Sequence, residues 1–359
     1  MNRQALKVGI IGQGRSGRNI HGNLLATIPE YYTIAAVSDS LPERRELAVK
    51  EYGCRAYESW EEMVRHEDLD LVVNASPSHL HFPISLELLN RGFNVLCEKP
   101  LAKTAEEVDQ LIEASERSGK VLAVFQQSRY QQAFMKIREV IDSGVLGRIV
   151  QVNFTLNNFA RRWDWQTLQS NNGGNLMNTG PHPLDQALQL FGTDVMPQIT
   201  CIMDRANTFG DAEDYVKLIM RGEGRPTIDL EISSCCAYSR EQFNIQGTNG
   251  GLRGSVTELE WKYFKPEEAP EQKLIREPLF DSNGMPAYCS ETLIWHTGSW
   301  KLSTPDGLSP FDEMTKTLYL MLHRHMTEGA ELEITPQQVR QQMLVMEECR
   351  RQNPHIYKP

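Results

Sequence analysis

The chain has no apolar run of membrane-spanning length, no CxxC pair, no internal repeat, no low-complexity tract and no surplus of positive charge. The first absence argues against a membrane partner through a transmembrane helix. Met1–Lys7 is polar and runs straight into a strand pattern, so no signal peptide is expected. The seven cysteines are odd in number and lack zinc-like spacing. They predict free thiols in a reducing, cytoplasmic setting rather than a disulfide frame or a metal site. A net charge of -10 argues against a broad nucleic-acid surface, because phosphate binding needs lysine and arginine in excess. His79 and His81 have no third ligand at metal spacing, so no metal is expected.

What is present is a soluble-type composition, 40% hydrophobic and 23% charged, over 359 residues, a length that favours two domains. The first third alternates strand and helix patterns. Val8 to Ile11, Tyr32 to Val37, Leu69 to Ala75, Phe93 to Cys97 and Lys120 to Phe125 read as strands. Between them lie helical stretches at Asn19 to Ile28, Pro42 to Tyr52, His81 to Asn90 and one opened by the capping box Thr104-Ala105-Glu106-Glu107. Repeated βαβ units mean an α/β Rossmann domain, a doubly wound parallel sheet, expected over residues 1–125.

The pattern then changes. Phe134 to Ser143 reads as a helix. Ile149 to Leu156, Asp214 to Arg221 and Thr227 to Ser233 alternate apolar and polar residues, the period of antiparallel strands with one covered face. Gly247 to Gly251 reads as a tight turn, Pro266 to Ser290 as a polar surface loop, and Phe311 to Glu328 and Pro336 to Arg351 as closing helices. Residues 126–359 are therefore expected to form an α+β domain with a mostly antiparallel open sheet.

Two segments carry the chemistry. Lys7 to Ile11 breaks into Gly12-Gln13-Gly14-Arg15-Ser16-Gly17, a GxGxxG between a strand and a helix. Gly12 permits the turn, Gly14 lets backbone approach a pyrophosphate, and Gly17 lets the helix pack against the sheet. The helix N-terminus then offers its N–H groups to the anion. Asp39 ends the second strand and is placed to accept from ribose hydroxyls, which favours NAD over NADP; Arg44 and Arg45 are read as exposed helix charges. The second segment, Val95 to Cys97 followed by Glu98-Lys99-Pro100, puts a lysine at the carboxyl end of a later strand on the same sheet edge. Cys97, in that apolar run, is read as a core thiol rather than a nucleophile.

These motifs resemble the glucose–fructose oxidoreductase / inositol dehydrogenase (Gfo/Idh/MocA) family, over essentially the whole chain. The glycine loop, Ser76-Pro77-Ser78-His79-Leu80-His81, Glu98-Lys99-Pro100, Arg129-Tyr130, Gly173 through His182, and Gly247-Thr248-Asn249-Gly250 occur in the family's order. The resemblance implies reversible oxidation of a secondary alcohol on a sugar, glycoside or cyclitol. It implies a homo-oligomer, dimer or tetramer, built through the second domain's sheet, with the C-terminal helix packed back on the first domain. Ser76, Pro77, His81 and Glu98 join the glycine loop and Asp39 as expected cofactor contacts.

Hydride leaves a carbon as a proton leaves its oxygen, so the site needs a base and a group that stabilises charge on that oxygen. Lys99 suits the second role and His182 the first. Pro100 is expected to shape the turn, through a cis bond. Where the family has an aspartate four residues before the histidine, this chain has Asn178. That residue is assigned to substrate or to orienting the ring, with Asp185 as a source of the missing charge or as an ordinary helix-start acid. Arg129, Tyr130, Arg162 and Trp163 complete the expected substrate contacts; indole faces stack on sugar rings, and arginines hydrogen-bond vicinal hydroxyls. The alternatives are a tightly held, recycled NAD, a non-catalytic NAD or sugar sensor, and a reductase of planar substrates such as linear tetrapyrroles.

Overall fold

Short β-branched runs that are buried on both faces build the first sheet. A computed structural model describes residues 5–304 and 307–357, so Met1–Gln4 of the polar N-terminal stretch lie outside it. Strand β1 (Leu6–Ile11) leads into helix α1, wound as π over Arg15–Gly22 and as α over Asn23–Leu25. Then follow β2 (Tyr32–Ser38), α2 (Pro42–Tyr52), β3 (Arg55–Tyr57), α3 (Trp60–His66), β4 (Leu71–Asn74), α4 (His81–Asn90), β5 (Val95–Cys97), α5 (Ala105–Ser118) and β6 (Leu122–Val124). The six strands are parallel in the order β3-β2-β1-β4-β5-β6. The order reverses between β1 and β4, and ligands of open α/β sheets bind in the crevice at such a point.

Two differences from the sequence reading stand out. The helix after the glycines starts at Arg15 rather than Asn19. Its close approach needs Gly17, where a Cβ would lie 1.7 Å from the Gly12 carbonyl oxygen. The pair β3 and α3 went unread, because a three-residue edge strand carries no periodicity. Yet Ser59, whose hydroxyl accepts from the Glu62 N–H at 3.2 Å, is a readable cap.

Helix α6 (Gln132–Asp142) joins the sheets. The second part contains β7 (Ile149–Asn157), α7 (Pro181–Phe191), β8 (Gln198–Asp204), β9 (Tyr215–Arg221), β10 (Thr227–Ser233), β11 (Phe243–Gly247), β12 (Gly250–Gly254) and β13 (Glu258–Tyr263). After a minimal exposed hairpin, β14 (Leu279–Phe280) and β15 (Pro286–Ala287), come β16 (His296–Lys301), α8 (Pro310–Glu328) and α9 (Pro336–Arg351). The eight-stranded order is β16-β13-β12-β11-β7-β10-β9-β8; every pair is antiparallel except β7 with β10. Val216, Leu218 and Met220 on β9, and Ile228, Leu230 and Ile232 on β10, are buried on one face, as their alternation requires. Strand β8 was not legible because apolar side chains fall on both its faces; Ile202 is 59% exposed while Met203 is buried.

The last two helices return to the first sheet. Leu318, Tyr319 and Leu322 of α8 join Val8, Ile10, Val37 and Leu71 in the core on one face. On the other face Val339, Met343 and Met346 of α9 share a core with Val108 and Leu111 of α5 and with the second sheet. Among the described residues no helix is long and apolar enough to cross a membrane.

Candidate active site

At the carboxyl end of β1 the chain turns through Gly12, whose φ of +83° is open to glycine and strained for other residues. A Cβ there would also strike the Ala75 carbonyl oxygen at 2.6 Å. The next N–H, of Gln13, donates to Asp39 Oδ2 at 2.7 Å, and the Leu41 N–H donates to Oδ1 at 2.9 Å. Asp39 is thereby held at the end of β2, facing the glycine loop. Arg44 and Arg45 lie on α2 as the sequence reading expects, Arg44 exposed and Arg45 half-buried, and both reach the end of β2. Arg44 Nη1 reaches Asp39 Oδ2 at 3.3 Å, and Arg45 Nη1 donates to the Asp39 and Ser40 carbonyls at 2.7 and 3.0 Å. Gln13 Oε1 and Ser38 Oγ are buried without a hydrogen-bond partner among the described residues. Unspent polar atoms beside a glycine turn and a fixed carboxylate suit an adenosine pyrophosphate.

Across the switch point, the loop after β5 carries Glu98 and Lys99, and the Lys99–Pro100 peptide is cis. Glu98 is buried, its Oε1 lies 3.4 Å from His21 Nε2, and its Oε2 accepts from the Lys99 N–H at 3.1 Å. Burial alone would raise its pKa; His21, Lys99 and His81 outweigh burial and bring the carboxyl down to about 2. Glu98 is thus engaged within its own loop and with α1. Lys99 Nζ donates to the Asn178 carbonyl at 2.8 Å. Burial lowers the lysine's pKa, Glu98 opposes, and Arg15 of the glycine loop lowers it further. The last effect requires the two loops to face each other.

His182 is the second residue of α7. Its helix start is held from three sides. The Pro181 carbonyl accepts from Gln126 and from Gln342 of α9. Asn178, in the π-wound turn Asn175–Thr179, exchanges amide contacts with Gln166. His182 Nδ1 lies 3.2 Å from Ser128 Oγ, in the turn after β6. Burial first, and the Lys99 ammonium second, draw the imidazole down to about 3, so the ring is neutral. The ammonium, held on the Asn178 carbonyl, therefore lies close enough to the imidazole to act on its charge.

Other expected site residues are spent elsewhere. Asp185 does not face His182 as a compensating charge. It forms a two-point ion pair with Arg129, at 3.0 and 2.5 Å, and both are nearly fully buried. Arg129 also donates to the Glu333 carbonyl and Gln338 Oε1, and Tyr130 donates to Glu333 Oε2. These three brace the segment before α9. His81 is buried with both ring nitrogens on backbone carbonyls, so it offers no ring nitrogen to a cofactor. Ser76 is tied to Asn74 Oδ1 at 2.7 Å, and Pro77 is exposed beside it. Arg162 pairs with Asp164 and bonds Gln166, which links it to Asn178. Trp163 is 78% exposed, set edge-on to Phe209 with ring centres 6.4 Å apart.

Sequence reasoning missed His21, Asn74, Ser128, Gln126, Gln166 and Gln342. Only His21 carried a signal, one turn beyond the last glycine of the loop. The others are ordinary polar residues until the fold brings them together.

Comparison with known proteins gives concordant matches. Residues 6–126 match a model described as an oxidoreductase family with NAD-binding Rossmann fold, and residues 134–253 match a GFO/IDH/MocA C-terminal domain. A scyllo-inositol 2-dehydrogenase (NADP(+)) of Bacillus subtilis is 29% identical over 218 residues, 60% of this chain and 59% of that protein. An inositol 2-dehydrogenase of Salmonella typhimurium is 29% identical over 249 residues, 68% and 72% of the two chains. The structure of the WlbA dehydrogenase from Bordetella pertussis, solved with NADH and UDP-GlcNAcA, superposes with a TM-score of 0.77 at 20% identity, covering 99% and 97% of the two chains.

Proposed function

From the premise that this chain belongs to the Gfo/Idh/MocA family of NAD-binding oxidoreductases, we propose that it oxidises a secondary hydroxyl of a sugar, glycoside or cyclitol, with His182 as base and Lys99 as oxygen stabiliser. The observation that carries this reading is the meeting of Lys99 and the His182 loop opposite the glycine turn.

Bound nicotinamide supplies the hydride acceptor. The protein's own groups handle the oxygen and its proton. A neutral His182 whose Nδ1 is steered by Ser128 keeps Nε2 available to accept the hydroxyl proton. The Lys99 ammonium, drawn toward the Asn178 carbonyl, is a donor for the oxygen on which negative charge builds. Asn178 and Gln166 offer an amide pair to neighbouring hydroxyls, with Arg162 behind them. Inositol dehydrogenases among the relatives support a polyol substrate. Asp39 supports NAD as the preferred coenzyme.

The test is a panel of sugars, glycosides and cyclitols with NAD and NADP, followed at the nicotinamide absorbance. Lys99→Ala and His182→Ala are each expected to lose turnover by at least about a hundredfold while keeping coenzyme affinity. Wild-type turnover in either variant removes that residue from the reaction.

A further inference from the structure

His81 opens α4 and is 2% exposed. Its Nδ1 lies 2.7 Å from the Pro100 carbonyl oxygen, and its Nε2 lies 2.9 Å from the Ser76 carbonyl oxygen. Both partners are pure acceptors. A neutral imidazole has one N–H, so it would set a nitrogen lone pair against a carbonyl lone pair at hydrogen-bonding distance. The imidazolium donates to both. We propose that His81 is held as an imidazolium that clamps the loop after β4 to the loop after β5, fixing the backbone from which Lys99 projects.

The surroundings set the balance of charge. Burial is the largest influence and, with the Lys99 ammonium, draws the ring's pKa below its ordinary value; the two carbonyl acceptors and the Glu98 carboxylate pull it back up, and the geometry of two acceptors on one ring is what argues for the charged form against that direction. The partial positive charge at the start of α4 also opposes the charged form. Two charge-assisted hydrogen bonds and a buried anion stand against these terms, and the neutral ring has no way to satisfy both contacts. The clamp sits in a wider brace. Asn74, wholly buried, donates to the His81 carbonyl and to Ser85 Oγ, and its Oδ1 accepts from the Ser76 hydroxyl and N–H. Two neighbouring strand ends are thus joined through one charged ring and one amide. His81 is a positioning residue; it touches no reacting atom.

The charge state is testable without any substrate. In full-length protein carrying ¹⁵N-histidine, with and without NAD, the His81 ring is expected to show two proton-bearing nitrogens from pH 6 to 8. The signals are assigned by comparison with His81→Gln, or by Overhauser contacts to Ser76 and Pro100 if that variant does not fold. One protonated and one pyridine-type nitrogen at pH 7 would overturn the proposal. A folded His81→Gln provides a second readout. If the folded ring's pKa lies above its unfolded value of about 6.5, the stability advantage of wild type is full below that pH and shrinks as pH rises. An advantage that instead grows with rising pH rejects the imidazolium. The positioning role rests on the dehydrogenase reading. There, His81→Gln is expected to lower kcat on the order of tenfold to a hundredfold with NAD affinity kept; an unchanged kcat rejects positioning and leaves the spectroscopic result to judge the charge.

Discussion

At His182, burial and the neighbouring ammonium both disfavour the protonated ring, and a base must be unprotonated to work. With a folded pKa of about 3, the imidazole stays neutral far below pH 7, the form that the proposed role requires. The same shift has a stability consequence. The unfolded chain takes up a proton at this residue below about pH 6.5, where the folded chain does not. The contribution is therefore full above that pH and is lost as pH falls toward 3. Urea unfolding of wild type and His182→Gln between pH 7 and 4.5 measures it: the variant is expected to lose less stability on acidification. Parallel curves would show that the neutral ring is not held by burial. Asp39 permits a second test at this scale. Its carboxylate already carries the Gln13 and Leu41 N–H groups and Arg44. Asp39→Ala is expected to raise the KM for NAD and to narrow the preference over NADP, because it frees Arg44 and removes a charge that repels a 2′-phosphate. An unchanged coenzyme ratio in steady-state kinetics would count against Asp39 as the selector.

At the scale of elements, the turn from β1 into α1 is the most constrained join near the site. Gly17→Ala places a methyl 1.7 Å from a backbone oxygen that has no flexible end to move. The helix must lift from the sheet, taking with it the N–H groups that face the crevice. The expected cost is about 1–3 kcal/mol in chemical denaturation, with a marked loss of NAD affinity by calorimetry. Unchanged affinity would separate the helix start from coenzyme binding. Helix α7 illustrates the reverse arrangement. Pro181 and Pro183 fix the backbone of its first turn but no side chain caps it, and the Pro181 carbonyl is held by glutamines from two other segments. The direction of His182 is thus set by β6 and α9 as much as by α7.

At the scale of the whole molecule, α8 and α9 return from the end of the chain to both faces of the first sheet, and each sends polar groups toward the site. Tyr319 of α8 places its hydroxyl 2.7 Å from His21 Nδ1, and His21 in turn faces Glu98. The Arg129–Asp185 pair joins the turn after β6, α7 and the segment before α9 in one buried contact. Arg129→Met is expected to cost about 3–5 kcal/mol, because it strands the Asp185 charge. Adding Asp185→Leu is expected to recover much of that loss in urea unfolding. If the single change is nearly silent, the pair is not the brace described here.

Local pattern carried the parallel sheet, the glycine turn, Asp39, the Glu98-Lys99-Pro100 loop and the alternating strands β7, β9 and β10, because each depends on residue types at short, fixed spacing. It could not show the buried partners of Asp185, Arg129 or His81. A carboxylate three residues after a histidine reads as its partner until an arginine from another element takes both oxygens. A histidine beside a cofactor loop reads as a ligand contact until two carbonyls claim its nitrogens. Strands such as β8, with apolar side chains on both faces, lose the alternation that would reveal them. The sequence by itself therefore determined the fold class and the family, and put the glycine turn, Asp39 and the Glu98-Lys99-Pro100 segment at the ends of the strands of one sheet. Only the tertiary structure decided which polar groups face the crevice and which are used up holding it. For His21 and Arg129 that choice depends on partners 298 and 56 residues away, Tyr319 and Asp185, and no local spacing encodes such distances.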